Sequence, residues 1–197
     1  MATHQKEITN SFRTVTEMMR DRGRPCEQWE ALSGDDVLAL QGGRPVFHMD
    51  DEGAACRLVY DMSPRFKLVA VRKLLDVAPE VATQVILVVS APTPAATRSL
   101  KELQSAAEVQ MFDLKSLQFN VSRHDFVPPH DPIRDEADIE AVLRRYSLKS
   151  RIQLPLIYSS DPMARYLALK PGQLVRITRR SPSAGVHVLY RCCARAP

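Results

Sequence analysis

The apolar positions of this chain fall into blocks with different periods, and each block predicts an element. Ile8, Phe12, Val15 and Met19 recur at helical spacing. They predict an opening helix that ends at Arg20, Arg22 and Gly23, where cations meet the negative helix end and glycine tolerates positive φ. Trp29 and Leu32 read as core. Ser33 with Asp36 forms a capping box for a helix over 34–41 that Gly42-Gly43 stops. Val46–Met49 and Ala55–Asp61 read as two strands around the turn Asp50-Asp51-Glu52-Gly53. Val69–Val77 reads as a helix stopped near Pro79. Thr83–Ser90 is a continuous β-branched run, the pattern of a strand buried on both faces. A helix opening at Thr93-Pro94, with Leu100 and Leu103 facing in, leads to a strand over Val109–Phe112. Strand, helix and strand of that length predict a βαβ crossover and an α/β first half.

The second half reads differently. Leu114–Ser122 leads out of the first domain, and Val121–His130 carries paired prolines that stiffen the chain and mark a boundary. Asp131-Pro132 is read as the cap of a helix over Ile133–Tyr146, with Ile139, Val142, Leu143 and Tyr146 inward. Ile152–Tyr158 is extended. Asp161 caps a short helix with Pro162 at its first position and Met163, Tyr166 and Leu167 on one face. Pro171-Gly172 stops it. Gln173–Arg179 alternates, Ser181–Gly185 is a turn cluster, and Val186–Arg191 alternates again. The expected product is a β-hairpin packed on helices. Its inner face would hold Val175, Ile177, Val186, Val188 and Tyr190, leaving Arg165, Arg176, Arg179 and Arg191 to face a partner.

The stretch from Ser160 to Ser181, with its flanks, also carries a family resemblance. Leu154–Ile157 (LPLI), Asp161–Tyr166 (DPMARY), Ala168–Ile177 (ALKPGQLVRI), Arg179, Ser181, Ala184-Gly185 and Tyr190-Arg191 run in the same order as LPRI, DPVARY, GLKRGQVVKI, R, S, AG and YR. That pattern belongs to the small subunit shared by the three eukaryotic nuclear RNA polymerases, which has an archaeal counterpart. Leu156 stands for a usual Arg, Ala168 for Gly, Pro171 for Arg, and His187 for an aromatic. Phe12–Gly23 (FRTVTEMMRDRG) is similar to the opening helix of eukaryotic members, which archaeal members lack. That points to a eukaryotic or eukaryote-related origin, large DNA viruses included. Val121–His130 and Arg145–Lys149 resemble the family's V-P-x-H and RY-x-LK elements.

The resemblance implies an α+β protein. A jaw domain over residues 1–118, α/β and restriction-endonuclease-like in shape, would precede a small α+β assembly domain over 119–197 like the archaeal protein. It implies a non-catalytic structural subunit of a DNA-directed RNA polymerase, with a lower jaw near downstream duplex DNA. Docking would be on the largest subunit, among other polymerase subunits. It places the family's DNA-side loop on Thr93, Pro94, Ala95, Ala96 and Arg98. The location would be the nucleus, the nucleolus for polymerase I, or a cytoplasmic factory or virion for a viral copy.

Charge sharpens this picture. The chain of 197 residues has a net charge of +4. Residues 1–120 carry 14 Lys/Arg against 16 Asp/Glu, whereas residues 121–197 carry 13 against 7. From Pro162 onward there are seven Lys/Arg and no acid. A basic half calls for an acidic partner, nucleic acid or protein. Independently of the resemblance, the start of the helix after Thr83–Ser90 offers free N–H groups and Arg98 to a phosphate; the plainer reading is a capped βα turn.

Catalytic candidates are few. Asp61 with Asp113-Leu114-Lys115 fits the wording of a nuclease metal site, an acid at one strand end and acid-x-Lys at the next, but such triplets are common by chance. Surface charge at strand ends is the expected role. Two alternatives remain open on residues alone: a stand-alone metal-dependent nuclease, and a free basic RNA-binding factor. His4, His48, His124, His130 and His187 have no ligand spacing, and Cys26, Cys56, Cys192 and Cys193 form no CxxC. No metal, cofactor, small-molecule substrate or membrane partner is expected.

Overall fold

In the computed structural model the described residues are 2–24, 27–32, 36–37, 46–49, 55–62, 82–90, 108–181 and 185–196. The chain divides into two compact units, Met1–Phe119 and Asn120–Pro197. Each is a mixture of helix and sheet, so the chain is α+β.

In the first unit α1 spans Ala2–Asp21. Ile8, Phe12, Val15 and Met19 are buried as the spacing predicts, and so are Ser11, Thr14, Thr16 and Met18. The helix is therefore enclosed on more than one stripe. Ser11 shares a hydrogen bond of 2.9 Å with the Tyr60 hydroxyl, and the Thr16 hydroxyl donates to the Phe12 carbonyl. Such partners are what make buried hydroxyls tolerable. Gly23, with φ 74, closes α1: its N–H donates to the Arg20 carbonyl and the Arg24 N–H donates to the Met19 carbonyl. This is a Schellman closure, with glycine at the left-handed position. Trp29, on α2 (Glu27–Glu30), lies buried against Phe12 with ring centroids 6.3 Å apart.

The first sheet has the order β1-β2-β3-β4, with β1 Val46–Met49, β2 Ala55–Asp61, β3 Ala82–Val89 and β4 Glu108–Asp113. β1 pairs antiparallel with β2; β2, β3 and β4 are parallel. Val85–Val89 are all buried, which is why that run does not alternate. A 3-10 turn at Leu114–Leu117 follows, and the Gln118 amide donates to the Glu7 carbonyl of α1. Only Asp36 and Val37 of the expected helix over 34–41 are described, and both are helical. The helices expected over 69–77 and after Pro94 lie outside the described residues.

The second unit holds a sheet of order β5-β7-β8-β6: β5 His130–Ile133, β6 Leu156–Tyr158, β7 Leu174–Ser181 and β8 Gly185–Ala194. α3 spans Glu136–Arg145 and α4 spans Pro162–Tyr166. The helix does not start where the sequence suggests. Asp131-Pro132 belongs to edge strand β5, and α3 is capped by Asp135, whose carboxylate accepts from the Ala137 N–H at 2.9 Å. Proline is compatible with an edge strand because its missing N–H need not enter the ladder. Ile139 and Val142 are buried, whereas Tyr146 is 45% exposed.

Hairpin register corrects a second expectation. β7 and β8 pair Val175 with Arg191, Ile177 with Leu189 and Thr178 with Val188. Cross-strand partners share a face. Val175 and Ile177 therefore lie opposite to Val186, Val188 and Tyr190, not beside them. The sheet is covered on both sides instead. Leu174 and Cys192 on one face join a core with Ile139, Val142 and Leu154, and Tyr190 packs against it. On the other, Val175, Ile177 and Cys193 are buried, and the Cys193 thiol lies 3.7 Å from the Leu169 carbonyl. Complete burial of one such aliphatic side chain contributes about 1.5–3 kcal/mol.

Candidate functional site

The hairpin and the helix before it are anchored by Asp161. Its carboxylate accepts from the Met163 and Ala164 N–H groups, so α4 starts where Pro162 can occupy its first turn. The far end of α4 is a second Schellman closure. The Ala168 N–H donates to the Arg165 carbonyl and the Leu169 N–H to the Ala164 carbonyl, with Ala168 at φ 52. Lys170-Pro171-Gly172-Gln173 then turns the chain into β7. The Gln173 N–H donates to the Lys170 carbonyl and Gly172 has φ 89, so Pro171 and Gly172 occupy the positions a type II turn prefers.

The four arginines expected to face a partner are not brought together. Arg176 lies on the face of Tyr190, and its guanidinium pairs with Asp131 across β5 at 3.0 Å. The expectation of a surface without acidic neighbours fails there, because Asp131 is in β5 rather than at a helix cap. Arg179 and Arg191 share the opposite face. Arg179 is exposed, whereas Arg191 donates to the Leu156 carbonyl at 2.9 Å. Arg165 is half-buried on α4, and burial lowers its pKa below the ordinary guanidinium value. Arg180, outside the set that the sequence suggests, is exposed next to Arg179. An aromatic contact also escapes sequence reasoning: Tyr146 packs edge-on against Tyr190 at 5.7 Å, with the Arg145 guanidinium 5.9 Å from the Tyr146 ring. The two tyrosines are far apart in the chain, and no local pattern reveals their contact.

Thr93, Pro94, Ala95, Ala96 and Arg98 lie outside the described residues. The acids of the nuclease wording do line up. Asp61 pairs in register with Val89 and Val89 with Asp113, so both acids lie in one cross-strand row at the strand ends, about 10 Å apart across β3. Asp113 is engaged in capping, however: its carboxylate accepts from the Lys115 N–H at 3.0 Å. Among the described residues no group of three or more His, Cys, Asp or Glu could hold a metal ion.

Among the described residues the thiols of Cys56, Cys192 and Cys193 are free and buried. Burial pushes Cys56 from 9.0 up to about 12, against the opposing pull of Arg22 and Arg24. Burial also raises Cys192 and Cys193. These two neighbours are adjacent in β8 and so point to opposite faces. His130 places Nδ1 2.6 Å from the Pro128 carbonyl, a hydrogen bond that stiffens the proline segment. Among the described residues no helix is long and apolar enough to cross a membrane.

Known proteins match this chain along most of its length. Residues 119–193 match the family described as RNA polymerase Rpb5, C-terminal domain. The chain is 32% identical over 187 residues to subunit rpabc1 of DNA-directed RNA polymerases I, II, and III from Dictyostelium discoideum, covering 92% of this chain and 94% of that protein. It is 31% identical to subunit 5B of DNA-directed RNA polymerases IV and V from Arabidopsis thaliana, covering 91% and 86%. It is 29% identical to subunit RPABC1 of DNA-directed RNA polymerases I, II, and III from Caenorhabditis elegans, covering 91% and 92%.

Proposed function

The chain belongs to the Rpb5 family of DNA-directed RNA polymerase subunits, and from that premise we propose that it serves as a structural, non-catalytic subunit of such an enzyme in the nucleus. The carrying observation is that its relatives align along more than nine-tenths of this chain, through both compact units. The first unit acts as the jaw toward downstream duplex DNA, with Thr93, Pro94, Ala95, Ala96 and Arg98 meeting backbone phosphates. The second is the assembly domain, which docks on the largest subunit. Exposed Arg179 supports a basic contact there, since a planar guanidinium binds carboxylates and carbonyls in pairs. Arg165, Arg176 and Arg191 contribute from positions already partly engaged within the unit. Neither the nuclease nor the free RNA-binding reading gains support from these relatives, which are named as polymerase subunits.

The test is purification of the tagged chain from its own cells, with identification of co-eluting proteins. The large polymerase subunits should elute in stoichiometric amount. Recovery of the chain alone would overturn the proposal. Arg165→Glu with Arg179→Glu should fold yet lose the large subunits, and wild-type recovery would remove docking from these arginines.

A further inference from the structure

The second sheet has two kinds of edge. At β5 the outer row includes Pro132, which has no N–H to offer. At β6 the Leu156 carbonyl accepts from Arg191 and the Tyr158 carbonyl accepts from the Asp161 N–H. These are the usual ways of blunting an edge against further pairing. Along β8 a third stretch of edge carries no such device among the described residues. β6 pairs with it only over Cys192–Ala194, because the chain before Pro155 turns away as the 3-10 turn Arg151–Gln153.

Backbone direction settles which groups that edge presents. The Thr178 N–H donates to the Pro129 carbonyl, toward β5, so the pair Thr178–Val188 exchanges no ladder bonds. The Cys192 N–H donates to the Pro155 carbonyl, toward β6, and the Cys193 N–H to the Gln173 carbonyl, toward β7. Even-numbered residues of β8 thus point their N–H and C=O groups away from β7. At Val186, Val188 and Tyr190 no strand among the described residues receives them. This run contains no Lys or Pro, and Val186 is 65% exposed.

We propose that the β8 edge from Val186 to Tyr190 is a strand-addition site that takes an extended, acidic segment of a partner polymerase subunit. The occupant would continue the row occupied by β6 farther along β8. Its chemistry follows from the two faces. Toward Val186, Val188 and Tyr190 it presents apolar side chains. Toward Arg179, His187 and Arg191, which share the other face, it presents Asp or Glu, and the exposed Arg180 beside Val186 adds to the same preference for an acidic segment. Backbone hydrogen bonds supply affinity, and the alternation supplies selectivity. This deepens the docking reading above and rests on it, by naming the backbone edge as the contact.

The test compares Val186→Pro with Val186→Ala in the full chain. Proline removes an outward N–H and leaves the β7 ladder intact; alanine trims the side chain and keeps the N–H. With circular dichroism unchanged for both, Val186→Pro should lower incorporation into the polymerase by about tenfold, the scale of one lost edge bond and a clashing ring. Val186→Ala should stay near wild type. Hydrogen exchange over 185–191 in the wild-type chain provides the readout independent of folding of the variants. It should slow by about a hundredfold on assembly. Incorporation with unchanged exchange there, or with equal effects of both variants, would overturn the strand-addition site and leave the docking reading standing. Failure of the wild-type chain to incorporate would remove both.

Discussion

The two Schellman closures with unlike residues set up a direct comparison. Gly23 and Ala168 occupy the same position after α1 and α4, with φ 74 and φ 52. Glycine adopts that region freely, but a Cβ there costs roughly 1–2 kcal/mol. The family pattern carries Gly where Ala168 stands. Ala168→Gly should therefore stabilise the second unit by about 0.5–1 kcal/mol, less than the full relief because glycine gains freedom when unfolded. Calorimetry of the full chain should show a higher midpoint for that unit; a lower midpoint would mean that the left-handed residue carries no strain. α3 ends the same way through Ser147 at φ 53, with the Leu148 N–H donating to the Leu143 carbonyl. All three closures are made by backbone hydrogen bonds between residues near in sequence, yet only the glycine was legible in the sequence. A left-handed Ala or Ser leaves no compositional mark.

At the scale of elements, capping separates two aspartates that look equivalent in the sequence. Asp135 accepts from the Ala137 N–H, whereas Asp131 sits in β5 and pairs with Arg176. Asp135→Ala should cost about 1 kcal/mol, the worth of an N-cap. Asp131→Ala should cost less, because half-exposed ion pairs contribute about 0–1 kcal/mol. Urea denaturation of both variants checks the order, and the reverse order would restore the cap to Asp131. The misplaced helix start has a physical origin. Asp-Pro before an apolar run meets every local requirement of a helix start, and only pairing with the distant Arg176 and Val175 draws it into a strand. The hairpin faces were lost for the same reason. Alternation within each strand was legible, but the parity that joins them is set by the Ser181–Gly185 pairing. Where the signal was local, as in α1, β3 and the Asp161-Pro162 start of α4, residue pattern and structure agree.

At the scale of the whole molecule there are two units, and the second has a core of its own. Ile139, Val142, Leu154, Leu174 and Cys192 form a cluster made entirely of second-unit residues. Residues 120–197, produced alone, should therefore melt in one cooperative transition. A protease-labile product without a transition would show that this core depends on the first unit. The candidate site was less legible than the fold. Basic residues were visible as a count, but whether a guanidinium is exposed, desolvated or tied to a carbonyl depends on neighbours the count cannot supply. Arg179, Arg165 and Arg191 illustrate the three cases.

The order β5-β7-β8-β6 has a consequence for how the second unit comes off the ribosome. β5 and β6 are synthesised early, but β6 has its strand partner only in β8, which is made after β5, β6 and β7 and then sits between β6 and β7. Until β8 emerges, Leu156–Tyr158 has no ladder and the core around Leu174 lacks Cys192. The nascent unit must wait with β6 unpaired and then close in one late step, which makes the interval before β8 appears the time at which a chaperone would be needed most.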